Sequence, residues 1–250
     1  MSKSKDYPSG FALSLTHLEH LPFDTEVFGF PFFRLDPENG FEIDKDLATI
    51  RGLTKGRFGC DAKVMDGENK TVKSLVRLGF REVCEQVTLQ LCPSERRFDF
   101  DESARCPALM EDAEIHGHSE NFTDDRLSLD SRIPQETIRK FYANWITNSF
   151  SLSGKKVFVL ESGLCITLLK EDHLKIDLVS VLEKRKGLGR RLMLHVLEEA
   201  RVRKICKVRV TTESHNKAAI KLYEGVGFQK VSSHHCLHFF EPPSMETSPL

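Results

Sequence analysis

Between residues 174 and 228 the chain places glycines, cations, an asparagine and a tyrosine at spacings suited to holding an anion and moving a proton. The first stretch is KIDLVSVLEKRKGLGRRLMLHVLEEARVRK. Residues 176–181 are an apolar run and residues 184–189 a basic turn; Leu188, Leu192, Val196 and Ala200 then recur at helical spacing, so the pattern predicts strand, loop and helix. A helix N-terminus carries unpaired N–H groups and the positive end of the dipole, and a pyrophosphate can sit there if the backbone comes close. Gly187 and Gly189 permit that approach because neither has a Cβ to collide with the ligand. Lys184, Arg185, Lys186, Arg190 and Arg191 add cationic donors, although such a turn alone is also an ordinary solvated helix entrance.

The second stretch, CKVRVTTESHNKAAIKLYEGVGF (206–228), predicts a strand, a helix entered at Asn216 and an exit at Gly227-Phe228 into another strand. Asn216 suits a helix cap, Tyr223 brings a phenol that can donate a proton, and Gly227 suits a helix stop. Each has a purely local reading. It is their combination, following the glycine turn, that points to chemistry.

The elements that must position these groups are legible upstream. FEIDKDLATIRGLTK (41–55) reads as a helix, CDAKVMD (60–66) as a strand, NKTVKSLVRLGF (69–80) as a helix stopped by Gly79, and EVCEQVTLQL (82–91) as an alternating strand. SRIPQETIRKFYANWITNSF (131–150) reads as a helix with Ile138, Phe141, Trp145 and Ile146 on one face, entered through Ser131 and Pro134. Residues 157–181 then read as three strands in meander order. A repeat joins the two ends of this series: GFREVCEQVTLQL (79–91) aligns with GFQKVSSHHCLHFF (227–240), pairing Val83 with Val231, Leu89 with Leu237 and Leu91 with Phe239. The first copy has no glycine loop, and Leu75 or Val76 stands where the second has Tyr223. A duplication whose first copy has lost the chemistry is expected.

The second stretch matches N-x-x-A-x-x-L-Y-x-x-x-G-F in full through Asn216, Ala219, Leu222, Tyr223, Gly227 and Phe228. The first matches [RQ]-x-x-G-x-[GA] through Gly187 and Gly189, with Lys184 replacing the usual arginine or glutamine and so losing a planar fork of donors. In these motifs the chain resembles the GNAT superfamily of N-acetyltransferases. The resemblance implies an α/β fold with a central mixed, mostly antiparallel sheet flanked by helices, and acetyl-CoA as co-substrate in a gap between splayed strands. It further implies pantetheine contacts from Val179, Ser180 and Val181, pyrophosphate contacts from Lys184, Arg185, Lys186, Gly187, Leu188, Gly189 and Arg190, a contact from Asn216, and Tyr223 as the catalytic acid. The general base stays open among Asp177, Glu213, His234 and ordered water.

LPFDTEVFGFPFFRL (21–35) and DSRIPQETIRKFYANWITNSF (130–150) resemble the bacterial TDP-fucosamine acetyltransferases, which also carry a degenerate N-terminal GNAT-like half. The acceptor implied is a nucleotide-linked amino sugar, with Asp24, Phe28, Arg132 and His234 as candidate contacts. Two rivals remain: acetylation of a protein N-terminus, a lysine or a polyamine, which the acidic segment 113–125 would suit, and a non-catalytic acyl-CoA-binding regulator.

Bulk properties narrow the classes. The 250 residues balance 36 Lys+Arg against 37 Asp+Glu, so no global field draws the chain to nucleic acid or an anionic membrane. Seven cysteines without a CxxC pair read as reduced thiols in a cytoplasmic protein, and the histidines at 234, 235 and 238 alternate too poorly along a strand to predict a metal site. The expected organisation is a tail (1–10), a degenerate half (11–95), a catalytic domain (103–240) and a second tail (241–250), with a homodimer allowed.

Overall fold

The computed structural model describes residues 18–37, 43–54, 56–95, 97–100 and 102–242. The expected N-terminal tail, the start of the first half and the end of the C-terminal tail lie outside the described residues. In chain order the elements are β1 (Leu18–His20), α1 (Pro22–Phe28), β2 (Phe32–Leu35), α2 (Ile43–Thr54), β3 (Phe58–Met65), α3 (Asn69–Arg77) and β4 (Arg81–Leu91). After a 3-10 turn at Pro93–Glu95 come α4 (Asp112–Glu120), α5 (Gln135–Ser149), β5 (Lys155–Leu160), β6 (Gly163–Leu169) and β7 (Leu174–Val181), and then α6 (Leu188–Val202), β8 (Val208–Glu213), α7 (Lys217–Val226) and β9 (Gln229–Glu241).

The helices and strands expected from periodicity form. In α5 the faces of Ile138, Phe141 and Ile146 are buried as expected, joined by Tyr142, and Pro134 stands as N-cap. One helix was not foreseen: α4 forms within the acidic segment, where Glu114 Oε2 accepts from the Glu111 N–H at 3.4 Å. Its buried set is Ile115, His118 and Ser119, so two of its three inward residues are polar and the apolar period is hidden. Glu241, expected in the C-terminal tail, instead closes β9 and accepts from Arg51 Nε at 3.0 Å.

The chain divides into two compact units that interleave along the sequence. One takes the described residues up to Lys63, residues 70–81 and those from Leu237 on; the other takes residues 64–69 and 82–236. In the first unit β1 pairs antiparallel with β2, and β2 pairs parallel with β3 by way of α2. Phe239 packs there at 5.4 Å from Phe58 and 5.3 Å from Phe80. The second unit has the strand order β4-β8-β7-β6-β5, with β5, β6 and β7 as an antiparallel meander, β7 parallel to β8, and β4 antiparallel to β8. Helices α6 and α7 cover one face of it through Leu192, Met193, Val196, Leu197, Tyr223 and Val226. Each fully buried Leu or Val of that set contributes about 1.5–3 kcal/mol of transfer free energy.

The repeat read in the sequence has a structural counterpart in β3–α3–β4 and β8–α7–β9. Both helices end in the same glycine-centred turn: Phe80 N–H donates to Leu75 O at 3.0 Å as Phe228 N–H does to Tyr223 O at 3.0 Å, with Gly79 and Gly227 at φ +97° and +106°. The turn decides between the two aligned residues: Leu75, not Val76, stands where the second copy has Tyr223. Among the described residues no helix is long and apolar enough to cross a membrane.

Candidate active site

The two parallel strands at the centre of the second unit stay together only briefly. β7 pairs with β8 through Leu174↔Val208, Lys175↔Arg209 and Ile176↔Val210, and no further. From Thr211 to Glu213 β8 pairs only with β4, and from Leu178 to Val181 β7 pairs only with β6. A wedge therefore opens between them, edged by backbone groups that neither strand satisfies for the other.

A bulge at Asp177 begins the divergence, because Thr167 pairs with Ile176 and Ile166 with Leu178, leaving Asp177 as the extra residue. An extra residue inverts the alternation of side chains beyond it. Leu174 and Ile176 before the bulge, and Val179 and Val181 after it, all meet the α6/α7 core in spite of their opposite parity. Ser180 is thereby turned to the other face, where its Oγ lies 2.9 Å from His118 Nδ1 and accepts from Asn121 Nδ2 at 3.0 Å. Burial lowers the His118 imidazole against an opposing pull from Glu114, which favours the neutral ring. Of the three residues expected along the pantetheine arm, Val179 and Val181 turn their side chains to the α6/α7 core, and the Ser180 hydroxyl is engaged by His118 and Asn121.

The basic turn leads into the N-terminus of α6, which begins at Leu188. Gly187 is its N-cap at φ +75°, and a Cβ built there meets nothing within 4 Å, so the backbone is open to an approaching group. Gly189 serves packing instead: a Cβ would come within 3.1 Å of Leu222 Cδ2, so its absence lets α6 close on α7. The cations divide. Lys186 pairs with Glu183, Arg191 Nη1 donates to Glu161 Oε1 at 2.8 Å, and Arg190 Nη1 donates to Gly225 O at 2.9 Å. Lys184 and Arg185 are exposed and form no ion pair among the described residues, with Arg185 in the left-handed region at φ +68°.

At the entrance of α7, Asn216 Oδ1 accepts from Ala219 N–H at 3.1 Å. That is an ordinary N-cap, which leaves the amide nitrogen for other use. Tyr223 is buried in the α6/α7 core with its ring 5.9 Å from Phe228. Its hydroxyl forms no hydrogen bond among the described residues. Burial, with smaller contributions from Cys165 and the Glu213 carboxylate, pushes the phenol well above its ordinary value, so it carries its proton at any physiological pH.

The opposite face of the second unit holds carboxylates. Asp177 is fixed by Trp145 Nε1 at 3.1 Å, Lys155 Nζ at 2.9 Å and Lys175 Nζ at 2.7 Å. Burial would raise this carboxyl, but the two ammonium groups outweigh it and hold it below the usual range. With a depressed pKa and three donors on its two oxygens, Asp177 is a poor proton acceptor. Glu213, at the end of β8, is different: its Oε1 accepts from Gln86 Nε2 at 3.0 Å and from Arg126 N–H at 3.3 Å, and Oε2 accepts nothing among the described residues. Residues 124–126 are tied to the same place, with His215 Nε2 3.1 Å from Asp124 O. Tyr142 lies behind them, stacked on Phe122 at 4.0 Å; burial and then Asp125 push its phenol up. The Cys84 thiol, hydrogen-bonded to Cys236 and partly buried, is pushed up as well and is no thiolate nucleophile.

The four candidate acceptor contacts are divided between the two units. Asp24 and Phe28 belong to the first unit, Asp24 buried in the first turn of α1 and Phe28 stacked on Phe32 at 4.7 Å. Arg132 and His234 belong to the second. Arg132 commits Nε and Nη2 to the buried Asp130 at 2.9 and 2.7 Å, which neutralises the charge expected to meet a diphosphate. His234 is half-buried on β9, beside His235, whose Nδ1 is 2.7 Å from Glu82 Oε1. No group of three or more His, Cys, Asp or Glu among the described residues could hold a metal ion.

With this geometry in place, likeness to known proteins is informative. Residues 152–228 match the model of the acetyltransferase (GNAT) family, a segment that holds the meander, the basic turn, α6, β8 and α7. The chain has the GNAT fold. A GCN5-related N-acetyltransferase from Sphaerobacter thermophilus superposes with a TM-score of 0.59 at 12% identity, over 90% of this chain and 76% of that one. A tandem GNAT protein from the clavulanic acid biosynthesis pathway superposes with a TM-score of 0.55 at 15% identity, over 86% of this chain and 77% of that one, and fits a two-half architecture. A GCN5-related N-acetyltransferase from Kribbella flavida gives 0.50 at 11% identity, over 85% and 81%. No curated protein matches the chain. The segment that matches the family model is thus the one that carries the wedge, the glycine turn and Tyr223.

Gln86, Asn121, His118 and Arg126 were not singled out from the sequence. Gln86 acts from the next strand over and Arg126 through its backbone, for which residue type carries no signal. His118 and Asn121 sit on the helix hidden in the acidic segment.

Proposed function

We propose that the protein transfers an acetyl group from acetyl-CoA to a primary amine. The observation that carries this reading is the β7/β8 wedge, which opens beside an uncapped, glycine-led α6 N-terminus and a protonated, unpartnered phenol at Tyr223. The residues present fit the co-substrate. The open backbone at Gly187 and the cations Lys184 and Arg185 suit its pyrophosphate, and the unpaired edges of β7 and β8 suit the amides of its arm. Acetyl-CoA supplies an activated acyl group with a thiolate leaving group. The chain's own task is to orient an amine nitrogen on the carbonyl carbon, take one proton from that nitrogen, and give one to the sulfur as the C–S bond breaks. On this reading Glu213 Oε2, which accepts nothing among the described residues, takes the first proton, and the protonated Tyr223 gives the second. N–H groups on the β7 edge are available to the oxyanion.

For the acceptor we propose a nucleotide-linked amino sugar, supported by the resemblance of residues 21–35 and 130–150 and by Asp24, Phe28, Arg132 and His234 as candidate contacts. A second reading has a specific observation in its favour. Asp124, Asp125 and Glu213 gather at the end of β8, where a small cationic amine would be attracted. The first strand–helix–strand, with Leu75 in place of the tyrosine, is on this reading a half that no longer performs transfer, and the seven free thiols suit a cytoplasmic setting. The test is release of CoA thiol from acetyl-CoA with dTDP-4-amino-4,6-dideoxygalactose and, separately, with spermidine. Release with the first supports the sugar acceptor and release with only the second the cationic one; tight acetyl-CoA binding without release with any amine leaves a binding protein.

A further inference from the structure

We propose that Gln86, on β4, is a positioning residue that holds Glu213 ready to accept the acceptor's proton, so that a strand of the first strand–helix–strand serves the chemistry of the second. The inference rests on the acetyl-transfer reading. Gln86 and Glu213 are direct cross-strand partners, the last residues of the β4/β8 ladder. On this face of the ladder three polar pairs run in register: Arg209 Nε donates to Gln90 Oε1 at 2.9 Å, Thr211 Oγ1 lies 3.0 Å from Thr88 Oγ1, and Gln86 Nε2 donates to Glu213 Oε1 at 3.0 Å. The last two lie in the stretch of β8 that β7 has left, and of these only the Gln86/Glu213 pair holds a carboxylate. Both Gln86 and Glu213 are buried.

The hydrogen-bond inventory assigns the roles. A carboxylate only accepts, so Gln86 must present its amide nitrogen to Glu213. The Arg126 N–H takes a second site on the same oxygen. Two donors on Oε1 fix the plane of the carboxylate, and a proton is received at Oε2. A carboxylate at the end of a rotatable side chain would otherwise sample several rotamers, and a misplacement of about 1 Å can cost two orders of magnitude in rate. The arrangement also gives the first strand–helix–strand a use after loss of its tyrosine. Its helix α3 carries Leu75 where α7 carries the phenol, yet residues 82–91 of its last strand belong to the second unit and supply the orienting amide.

The proton balance is simple. The bound ammonium gives one proton to Glu213, the freed lone pair on nitrogen forms the C–N bond, and the C–S bond breaks with its electron pair on sulfur, which takes the Tyr223 proton. The second nitrogen proton of the collapsing intermediate restores the phenol through solvent, and Glu213 returns its own proton to solvent after product leaves. Gln86 exchanges none.

The test compares Gln86→Leu, Gln86→Glu and Glu213→Gln with the wild type, scoring acetyl-CoA binding by calorimetry and CoA release from pH 6 to 9.5 with dTDP-4-amino-4,6-dideoxygalactose and with spermidine. Gln86→Leu should lower kcat about ten- to a hundredfold with KM for acetyl-CoA within about twofold. Gln86→Glu sets a like charge beside the base and should move the acidic limb of the pH profile upward, which a merely structural role would not do. Glu213→Gln should leave a residual rate that rises about tenfold per pH unit, because the free amine must then lose its proton unaided. A Gln86→Glu profile superposable on the wild type, or Gln86→Leu at full kcat, overturns the proposal while acetyl transfer stands. Absence of CoA release by the wild type with both amines overturns the transfer reading and this inference with it.

Discussion

Replacing Tyr223 by phenylalanine separates catalysis from folding more cleanly than any other single change in the site. The phenol hydroxyl has no hydrogen-bond partner among the described residues, so its removal strands no donor or acceptor. The ring, packed in the α6/α7 core 5.9 Å from Phe228, is retained in full. Stability should therefore change by less than about 1 kcal/mol, or less than about 4 °C in Tm for a chain of this size. Turnover should behave otherwise. The wild-type phenol stays protonated through the working range because burial, Cys165 and Glu213 all raise it, so it is always able to give its proton to the departing sulfur. Loss of a positioned general acid costs about two to four orders of magnitude, equivalent to about 2.7–5.4 kcal/mol of barrier. The measurements are kcat by thiol release, acetyl-CoA affinity by calorimetry and Tm by thermal denaturation, on both proteins. A variant that turns over within about threefold of the wild type removes Tyr223 from the mechanism. A variant that loses turnover together with about 10 °C in Tm shows that the hydroxyl was structural.

Two further changes probe the frame around this residue. Gly187→Asp places a carboxylate at the α6 N-cap, where nothing obstructs a Cβ but the φ of +75° strains any side chain by about 1–2 kcal/mol, a cost Asp tolerates better than most, so the fold should persist with a slightly lower Tm while acetyl-CoA affinity falls at least about tenfold; unchanged affinity in calorimetry would put the pyrophosphate elsewhere. Asp177→Asn leaves the nearly buried Lys155 without its counter-ion, and the cost should be about 3 kcal/mol, the lower end of the range for a broken buried pair because Lys175 reaches solvent. That corresponds to about 6–12 °C in Tm. The Asp177 carboxyl is held below its unfolded value, so its stabilisation is complete above about pH 5 and is lost as pH falls through the depressed folded value. Wild-type stability should therefore decline more steeply below pH 5 than that of the variant, and parallel acid limbs in urea titrations would contradict the assignment.

What was legible in the sequence is local. Gly187 at an αL N-cap, Asn216 as the cap of α7 and Gly227 as its stop are each decided by a few neighbouring residues, and the strand–loop–helix around them follows from apolar period. The repeat was visible for the same reason, since each copy ends its helix with one turn type that needs glycine. Helix α4 was not legible, because buried His118 and Ser119 fill places where periodicity looks for apolar residues.

The sequence by itself determined the local frame of the proposed donor side: which turn opens a helix, which helix carries the phenol, and which copy lacks it. Tertiary structure alone decided the rest. An extra residue at Asp177 reverses the faces of Val179, Ser180 and Val181, and no composition of the strand announces a bulge. Arg132 reads as a free cation until Asp130 is found folded back on it. Glu213 and Asp177 are both acidic residues on central strands, and what separates them is their neighbours: two lysines and a tryptophan occupy one, while an amide and a backbone N–H hold a single oxygen of the other. Proton affinity and free lone pairs are properties of surroundings. Those surroundings come from strands and loops remote in the chain, as Gln86 lies 127 positions from the carboxylate it holds.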